Sequence, residues 1–99
     1  MEEKESSAIQ MEIDETTAEG IYSNVALIRH SESEFIIDFM FFQPQGKKAK
    51  IRSRIILSPV HAKRILFAMK ENITKYEAKF GQIKEPALQP QIHKQEYYN

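Results

Sequence analysis

The feature that most constrains the fold is the stretch from Ser58 to Gly81, which carries the signals of one long amphipathic helix. Ser58 suits the N-cap because its hydroxyl can accept a hydrogen bond from a free backbone N–H, and Pro59 suits the first helical position. Gly81 suits the C-cap. The apolar residues between them recur at steps of three and four and form one stripe: Ala62, Leu66, Met69, Ile73, Tyr76 and Phe80. Such a helix needs a second surface to lie on.

The segment before the helix has the pattern of three β-strands separated by two turns. The strands are expected over residues 21–30, 34–42 and 47–57. The third strand runs directly into the helix, so the sequence predicts an α+β fold, a three-stranded antiparallel meander followed by one long C-terminal helix packed on the sheet (β-β-β-α). The register of the first strand stays open: either Val25 and Leu27 or Ala26 and Ile28 face inward, according to the length of the first turn.

Alternation along the third strand predicts how the second hairpin pairs. Its basic residues occupy every second position, and the positions between them are mostly apolar. We expect Phe42 to pair with Lys48, which places Asp38 opposite Arg52 on one face. On the other face, which becomes the core, apolar residues of the third strand then lie opposite Phe35, Phe39 and Phe41.

The flanks differ from this central part in composition and charge. Residues 1–20 carry seven acids against one lysine, whereas residues 21–99 carry thirteen Lys and Arg against seven acids. We expect residues 1–20 to be a disordered acidic arm, residues 21–82 to form the single domain and residues 83–99 to be a disordered polar tail. The alternating Ile9, Met11 and Ile13 could add an edge strand in an oligomer.

A domain of about sixty residues buries little surface by itself, and the chain has no cysteine with which to form a disulfide or a thiolate metal site. We therefore expect a homodimer. Val60 and Phe67 lie off the main apolar stripe of the helix and are the predicted dimer interface.

The basic residues of the third strand are the candidate binding site. Lys48, Lys50, Arg52 and Arg54 are predicted to project from one face, with Phe42 beside them and Arg29 nearby. A row of cations beside an aromatic side chain is typical of surfaces that bind single-stranded nucleic acid without reading its sequence. Two alternatives stay open: an ordinary solvated sheet face, and a surface that attracts an acidic protein partner.

The sequence gives little support to an enzyme. His30, His61 and His93 have no metal-ligand spacing, so no metal site is predicted. Ser58 and His61 share a helical turn, but no orienting acid or oxyanion pocket accompanies them. The three glycines form no phosphate-binding loop, and we expect no cofactor. The acidic start and the lack of a long apolar run predict a soluble cytoplasmic protein that does not contact a membrane.

Residues 22–81 resemble a prokaryotic family known as domain of unknown function 3467. The resemblance rests on Tyr22-Ser23-Asn24, on the strand beginning at Glu34-Phe35, and above all on the run from Ser53 through Ser58-Pro59-Val60-His61-Ala62-Lys63-Arg64. It implies a short intracellular bacterial protein and brings no catalytic residues to transfer.

Together these observations predict a small non-enzymatic binding module. The favoured function is weak, sequence-tolerant binding of nucleic acid through the basic sheet face, with the acidic arm competing for the same cations. The alternative is a protein–protein interaction or assembly module with no nucleic-acid role. The sequence leaves open the identity of any partner and the role of Tyr97 and Tyr98.

Overall fold

The computed structural model describes residues 8–85, which form two helices and three strands. In chain order these elements are α1 (Glu15–Glu19), β1 (Val25–His30), β2 (Phe35–Gln43), β3 (Lys48–Leu57) and α2 (Pro59–Phe80). The strands form one antiparallel sheet in the order β1-β2-β3. The predicted α+β order of a three-stranded meander followed by a long helix is confirmed. His93, Tyr97 and Tyr98 lie outside the described residues.

The predicted ends of α2 are also confirmed. The Ser58 hydroxyl oxygen accepts a hydrogen bond from the His61 backbone N–H at 3.2 Å, as an N-cap does. At the other end Gly81 adopts a φ of 99°, and its N–H donates to the Glu77 carbonyl at 3.0 Å. A positive φ at this position favours glycine over residues with a side chain.

The central strand β2 divides its side chains between two faces of the sheet. One face, called the Asp38 face below, carries Ile36, Asp38, Met40 and Phe42. The opposite face, called the Phe41 face, carries Phe35, Ile37, Phe39 and Phe41. The two outer strands add their side chains to these faces according to their pairing with β2.

The first turn settles the open register of β1. The Ser31 N–H donates to the Glu34 carbonyl at 2.9 Å, and four residues, 31–34, separate the paired residues His30 and Phe35. Val25 and Leu27 therefore lie opposite Met40 and Asp38 on the Asp38 face, where they are half-buried. Ala26 and Ile28 lie on the Phe41 face and are exposed.

The pairing of β2 with β3 differs from the predicted register. Asp38 lies opposite Arg54 rather than Arg52, and Phe41 lies opposite Lys50 rather than an apolar residue. The expectation that the phenylalanine side of β2 forms a wholly apolar core is therefore wrong at Phe39, which lies opposite Ser53, and at Phe41.

A β-bulge is the physical reason for this difference. Phe39 pairs with Ser53, but the next residue, Met40, pairs with Ile51, so Arg52 is an extra residue in β3. An extra residue reverses the alternation of a strand, so side chains before and after it change faces. Ile51 consequently packs on the Asp38 face, beside Met40.

The buried residues lie in the sheet rather than between the sheet and the helix. Met40 and Leu57 are 2% and 6% exposed, and the Asp38 side chain is fully buried. None of the 22 residues of α2, all within the described part of the chain, is buried. From Leu66 onward the apolar stripe of the helix stays 40–65% exposed. The predicted packing of α2 on its own sheet is therefore not found.

The junction between β3 and α2 explains the exposed helix. β3 ends at Leu57 and α2 begins at Pro59, so only Ser58 connects them. Ser58 has an extended backbone, with φ −70° and ψ 156°. A single extended residue provides no loop in which the chain could reverse and cross the sheet.

The described part of the acidic arm, residues 8–20, is exposed throughout. Within the segment that we expected to be disordered, α1 forms one short helix, and Asp14 caps it by accepting the Thr17 N–H at 2.7 Å. This hydrogen bond lowers the pKa of Asp14 below its ordinary value of 3.8. Ile9, Met11 and Ile13 form no strand in the single chain.

Candidate nucleic-acid interface

Three cations and two aromatic rings meet on the Phe41 face near the second turn. The Arg52 guanidinium carbon lies 5.9 Å from the centroid of the Phe41 ring, and the Tyr22 ring meets Phe41 edge-on at 6.0 Å. Lys50 lies directly opposite Phe41 in the register, and Lys48 lies opposite Gln43 on the same face. We call these five residues, Tyr22, Phe41, Lys48, Lys50 and Arg52, the basic–aromatic cluster.

The cluster is open to solvent. Lys48, Lys50 and Arg52 are exposed, and Tyr22 is 68% exposed. Within residues 8–85 no carboxylate lies within ion-pair distance of these three cations. They therefore present uncompensated positive charge beside an accessible aromatic ring, which suits a ligand that is both anionic and planar.

Two polar residues before β1 hold Tyr22 against the sheet. The Asn24 amide donates to the Phe42 carbonyl at 3.0 Å and accepts the Phe42 N–H at 2.8 Å, so its side chain continues the ladder as a backbone amide would. The Ser23 hydroxyl lies 3.0 Å from both the Val25 and the Met40 carbonyl oxygens. These contacts fix the chain directly after Tyr22, where it enters β1.

Arg54 is not part of the cluster. It lies on the Asp38 face, where its Nε and Nη2 donate to the two Asp38 carboxylate oxygens at 2.7 and 2.8 Å. These hydrogen bonds raise the pKa of Arg54 above its ordinary value, and the charge of Asp38 adds to the effect. Asp38 does form an ion pair, but its partner is Arg54 rather than the predicted Arg52. The bidentate pair neutralises the buried Asp38 carboxylate and thereby supports the fold.

Phe42 and Arg29 also lie away from the cluster. Phe42 pairs with Ala49 and Arg29 pairs with Ile36, so both belong to the Asp38 face and are half-buried. The structure thus brings together three of the six predicted nucleic-acid residues, Lys48, Lys50 and Arg52. The aromatic members beside them are Phe41 and Tyr22, because the bulge at Arg52 exchanges the faces.

The other predicted residues are placed as follows. Val60 and Phe67, the predicted dimer interface, are exposed on α2. The Ser58 hydroxyl accepts a hydrogen bond from the His61 backbone N–H as a helix cap, and this bond is why the two residues lie close together. Among residues 8–85 no group of three histidine, cysteine or acidic side chains could hold a metal ion. No helix in the same range combines the length and apolar character needed to cross a membrane.

The comparisons with known proteins place the chain in a family. The family model described as "Protein of unknown function (DUF3467)" matches residues 1–85, which is most of the chain. The chain belongs to this family. The match begins at residue 1, so it includes the acidic arm that the predicted resemblance had left outside. Neither the curated proteins nor the solved structures gave a match.

The motifs that carried the resemblance have structural roles in this chain. Ser23 and Asn24 hydrogen-bond the β2 backbone, Arg54 pairs with Asp38, and Ser58 caps α2. The functional candidates Lys48, Lys50 and Arg52 all lie before the Ser53–Arg64 run. The run that marks the family therefore stabilises the fold, and the cations of the basic–aromatic cluster lie outside it.

Proposed function

We propose that this protein is a small binding module that binds single-stranded nucleic acid through the basic–aromatic cluster, with little sequence preference. The observation that supports this function is the position of three exposed cations around the Tyr22 and Phe41 rings. Lysine and arginine contact phosphates, whereas an exposed ring can stack on any base.

Each part of the cluster has a separate task in this proposal. Lys48 and Lys50 occupy alternate positions along β3, so their Cα atoms lie about 7 Å apart, close to the spacing of successive phosphates in an extended strand. Tyr22 offers its exposed ring to a base. Arg52 already lies 5.9 Å from the Phe41 ring centroid and adds a third cation beside the rings.

The test is fluorescence anisotropy of a labelled, mixed-sequence single-stranded oligonucleotide titrated with the full chain at several salt concentrations. With three phosphate contacts, the logarithm of affinity should fall with the logarithm of salt with a slope of about −2. The variant with Lys48, Lys50 and Arg52 all changed to Ala should lose binding.

The matched control removes the same charge from another surface, by changing Lys63, Lys70 and Lys75 of α2 to Ala; it should bind nearly as well as the unchanged chain. Tyr22→Ala should weaken binding by about tenfold, because stacking on one aromatic ring contributes roughly 1–3 kcal/mol. Equal losses in the two triple variants would mean that binding follows net charge alone, and the cluster would not be the site.

An acidic protein partner is the competing ligand for the same cations. A poly-glutamate chain of matched charge distinguishes the two, since it offers carboxylates but no bases to stack. We expect poly-glutamate to compete only weakly with the oligonucleotide, and to be insensitive to Tyr22→Ala. Competition at equal charge concentration would favour the acidic partner.

The acidic arm is proposed to compete with nucleic acid for the cluster. Its seven acids and the cluster belong to one chain, which gives the arm a high effective concentration. Changing Glu12, Glu15 and Glu19 to Gln should therefore tighten oligonucleotide binding. Unchanged affinity would contradict this part of the proposal.

A further inference from the structure

Among the exposed apolar side chains of residues 8–85, two groups form surfaces of matching character. One is the stripe of α2, of which Leu66, Met69, Ile73, Tyr76 and Phe80 are 40–65% exposed. The other is a row across the Phe41 face formed by three paired residues, Ile28, Ile37 and Ile55, which we call the isoleucine row. Ile28 is 59% exposed and Ile55 is 41% exposed. Soluble monomers rarely expose so much contiguous apolar surface.

We propose that the two surfaces cover each other between two copies of this chain: the α2 stripe of each copy packs on the isoleucine row of the other. The contact is reciprocal, as a twofold dimer requires. Within one chain the same contact is prevented, since Ser58 alone joins β3 to α2.

We call this reciprocal contact the helix–sheet exchange. The exposed area favours the exchange over a dimer in which only the two α2 helices pack on each other. A large side chain that is half exposed contributes roughly 100 Å², so the five stripe residues offer on the order of 500 Å². Adding Ile28 and Ile55 brings the total to roughly 700 Å² for each chain. A stable interface buries about 800 Å² per partner, and this area varies by about a quarter from one complex to another. The stripe alone falls short of this area, and a helix pair would leave the isoleucine row exposed.

The size of the core indicates that a second copy is needed. Among residues 8–85 only Met40 and Leu57 are buried apolar side chains. A chain of this length with no disulfide and no metal site gains too little from two such residues to offset its ordering entropy.

The exchange is independent of the nucleic-acid proposal. The isoleucine row lies four residues along β2 from Phe41, which is about 13 Å. The contact is assigned to the main stripe rather than to Val60 and Phe67, which project from a different side of α2.

The first experiment measures the mass of the full chain by light scattering after gel filtration, with two matched pairs of variants. We expect twice the chain mass of 11.6 kDa. Ile55→Glu should raise the dimer dissociation constant by roughly 100-fold, because a charge would be buried against apolar side chains. Ile56→Glu, the adjacent residue on the opposite face, should leave the dimer intact.

On the helix, Ile73→Glu should dissociate the dimer and Thr74→Glu, which projects away from the stripe, should not. A monomeric full chain would overturn the proposal, whether the surfaces are then covered by the tail or by nothing. So would a stable assembly with a different protein, or a dimer that withstands both Ile55→Glu and Ile73→Glu.

A cysteine experiment keeps the proposal testable if the glutamate variants fail to fold. The chain has no natural cysteine, so Ile55→Cys and Met69→Cys chains can be mixed and joined by a short bis-maleimide. The exchange predicts linkage between the two different variants. Linkage only between two Met69→Cys chains would overturn it in favour of a helix pair, and absence of any linkage would overturn it too.

Discussion

The sheet and α2 differ in how they obtain their stability in the single chain. The sheet holds every buried side chain of the described residues: Asp38, Met40 and Leu57. The helix has an N-cap, a C-cap and a regular apolar stripe, yet it buries none of its 22 residues. The helix is locally well specified and lacks a tertiary contact, whereas the sheet is irregular and carries the core.

This difference separates two kinds of information in the sequence. Caps and spacing determine where a helix begins and ends, because those signals act over a few residues. They do not determine what the helix packs on, which depends on the connection before it and on a second surface. The following predictions test this difference between the sheet and the helices, from the largest expected effect to the smallest.

Met40→Ala should have the largest effect. Met40 lies between Val25 and Ile51 in the middle of the sheet and is 2% exposed, so its truncation removes packed atoms and leaves a cavity. We expect the free energy of unfolding to fall by about 3 kcal/mol, measured by urea denaturation at fixed protein concentration. Met11→Ala, in the exposed arm, is the control and should change it by less than about 0.5 kcal/mol.

Asp38→Asn should come next. The substitution keeps the shape of a buried side chain but removes the charge that receives two hydrogen bonds from Arg54. We expect a loss of about 2 kcal/mol in the same measurement. The double variant Asp38→Leu with Arg54→Met should regain most of this, because it removes both polar partners together. A double variant as unstable as Asp38→Asn would show that the pair has another role.

Ser58→Ala tests the helix end and should cost about 1 kcal/mol, since the His61 N–H loses its acceptor. Ser58→Asp retains an acceptor at the same place and should be nearly neutral. Helical circular dichroism during denaturation reports both variants. A loss as large as that of Met40→Ala would mean that Ser58 does more than cap the helix.

The smallest effect is expected at Asp14, where acid should loosen α1. The pKa of Asp14 is lowered in the folded chain, so its cap stabilises α1 fully above pH 3.8. The contribution is lost as the pH falls through the lower, folded pKa. The Thr17 amide resonance should titrate with a midpoint below 3.8, and Asp14→Asn should abolish that titration. A midpoint above 3.8 would contradict the hydrogen bond.

The fold and the site could be predicted from the sequence to different extents. The ends of α2 and the order of the strands follow from Ser58, Pro59, Gly81 and the turn residues, and both are confirmed. The aromatic neighbours of the cations could not be predicted in the same way. Alternation predicted Phe42, but the bulge at Arg52 places Phe41 beside Lys50.

The amino-acid composition of a strand does not show whether the strand contains a β-bulge. Arg52 continues the alternation of Lys48 and Lys50 with the apolar residues between them, so the sequence looks regular across the bulge. The clue lay in the partner of Met40: with Phe42 opposite Lys48, a regular ladder would have placed Ile51 beside Phe39 and the charged Lys50 beside Met40. The buried Met40 is better covered by the pairing found.

The one-residue junction at Ser58 also makes α2 a lever. The helix is about 33 Å long, and its direction relative to the sheet depends on the two backbone torsions of one residue. A rotation of about 10° at that hinge would move the far end of the helix by about 6 Å, roughly one helical turn. A small change of angle where β3 ends is thus amplified into a large displacement at Phe80, and a contact that fixes the helix tip would in turn fix the angle at the sheet.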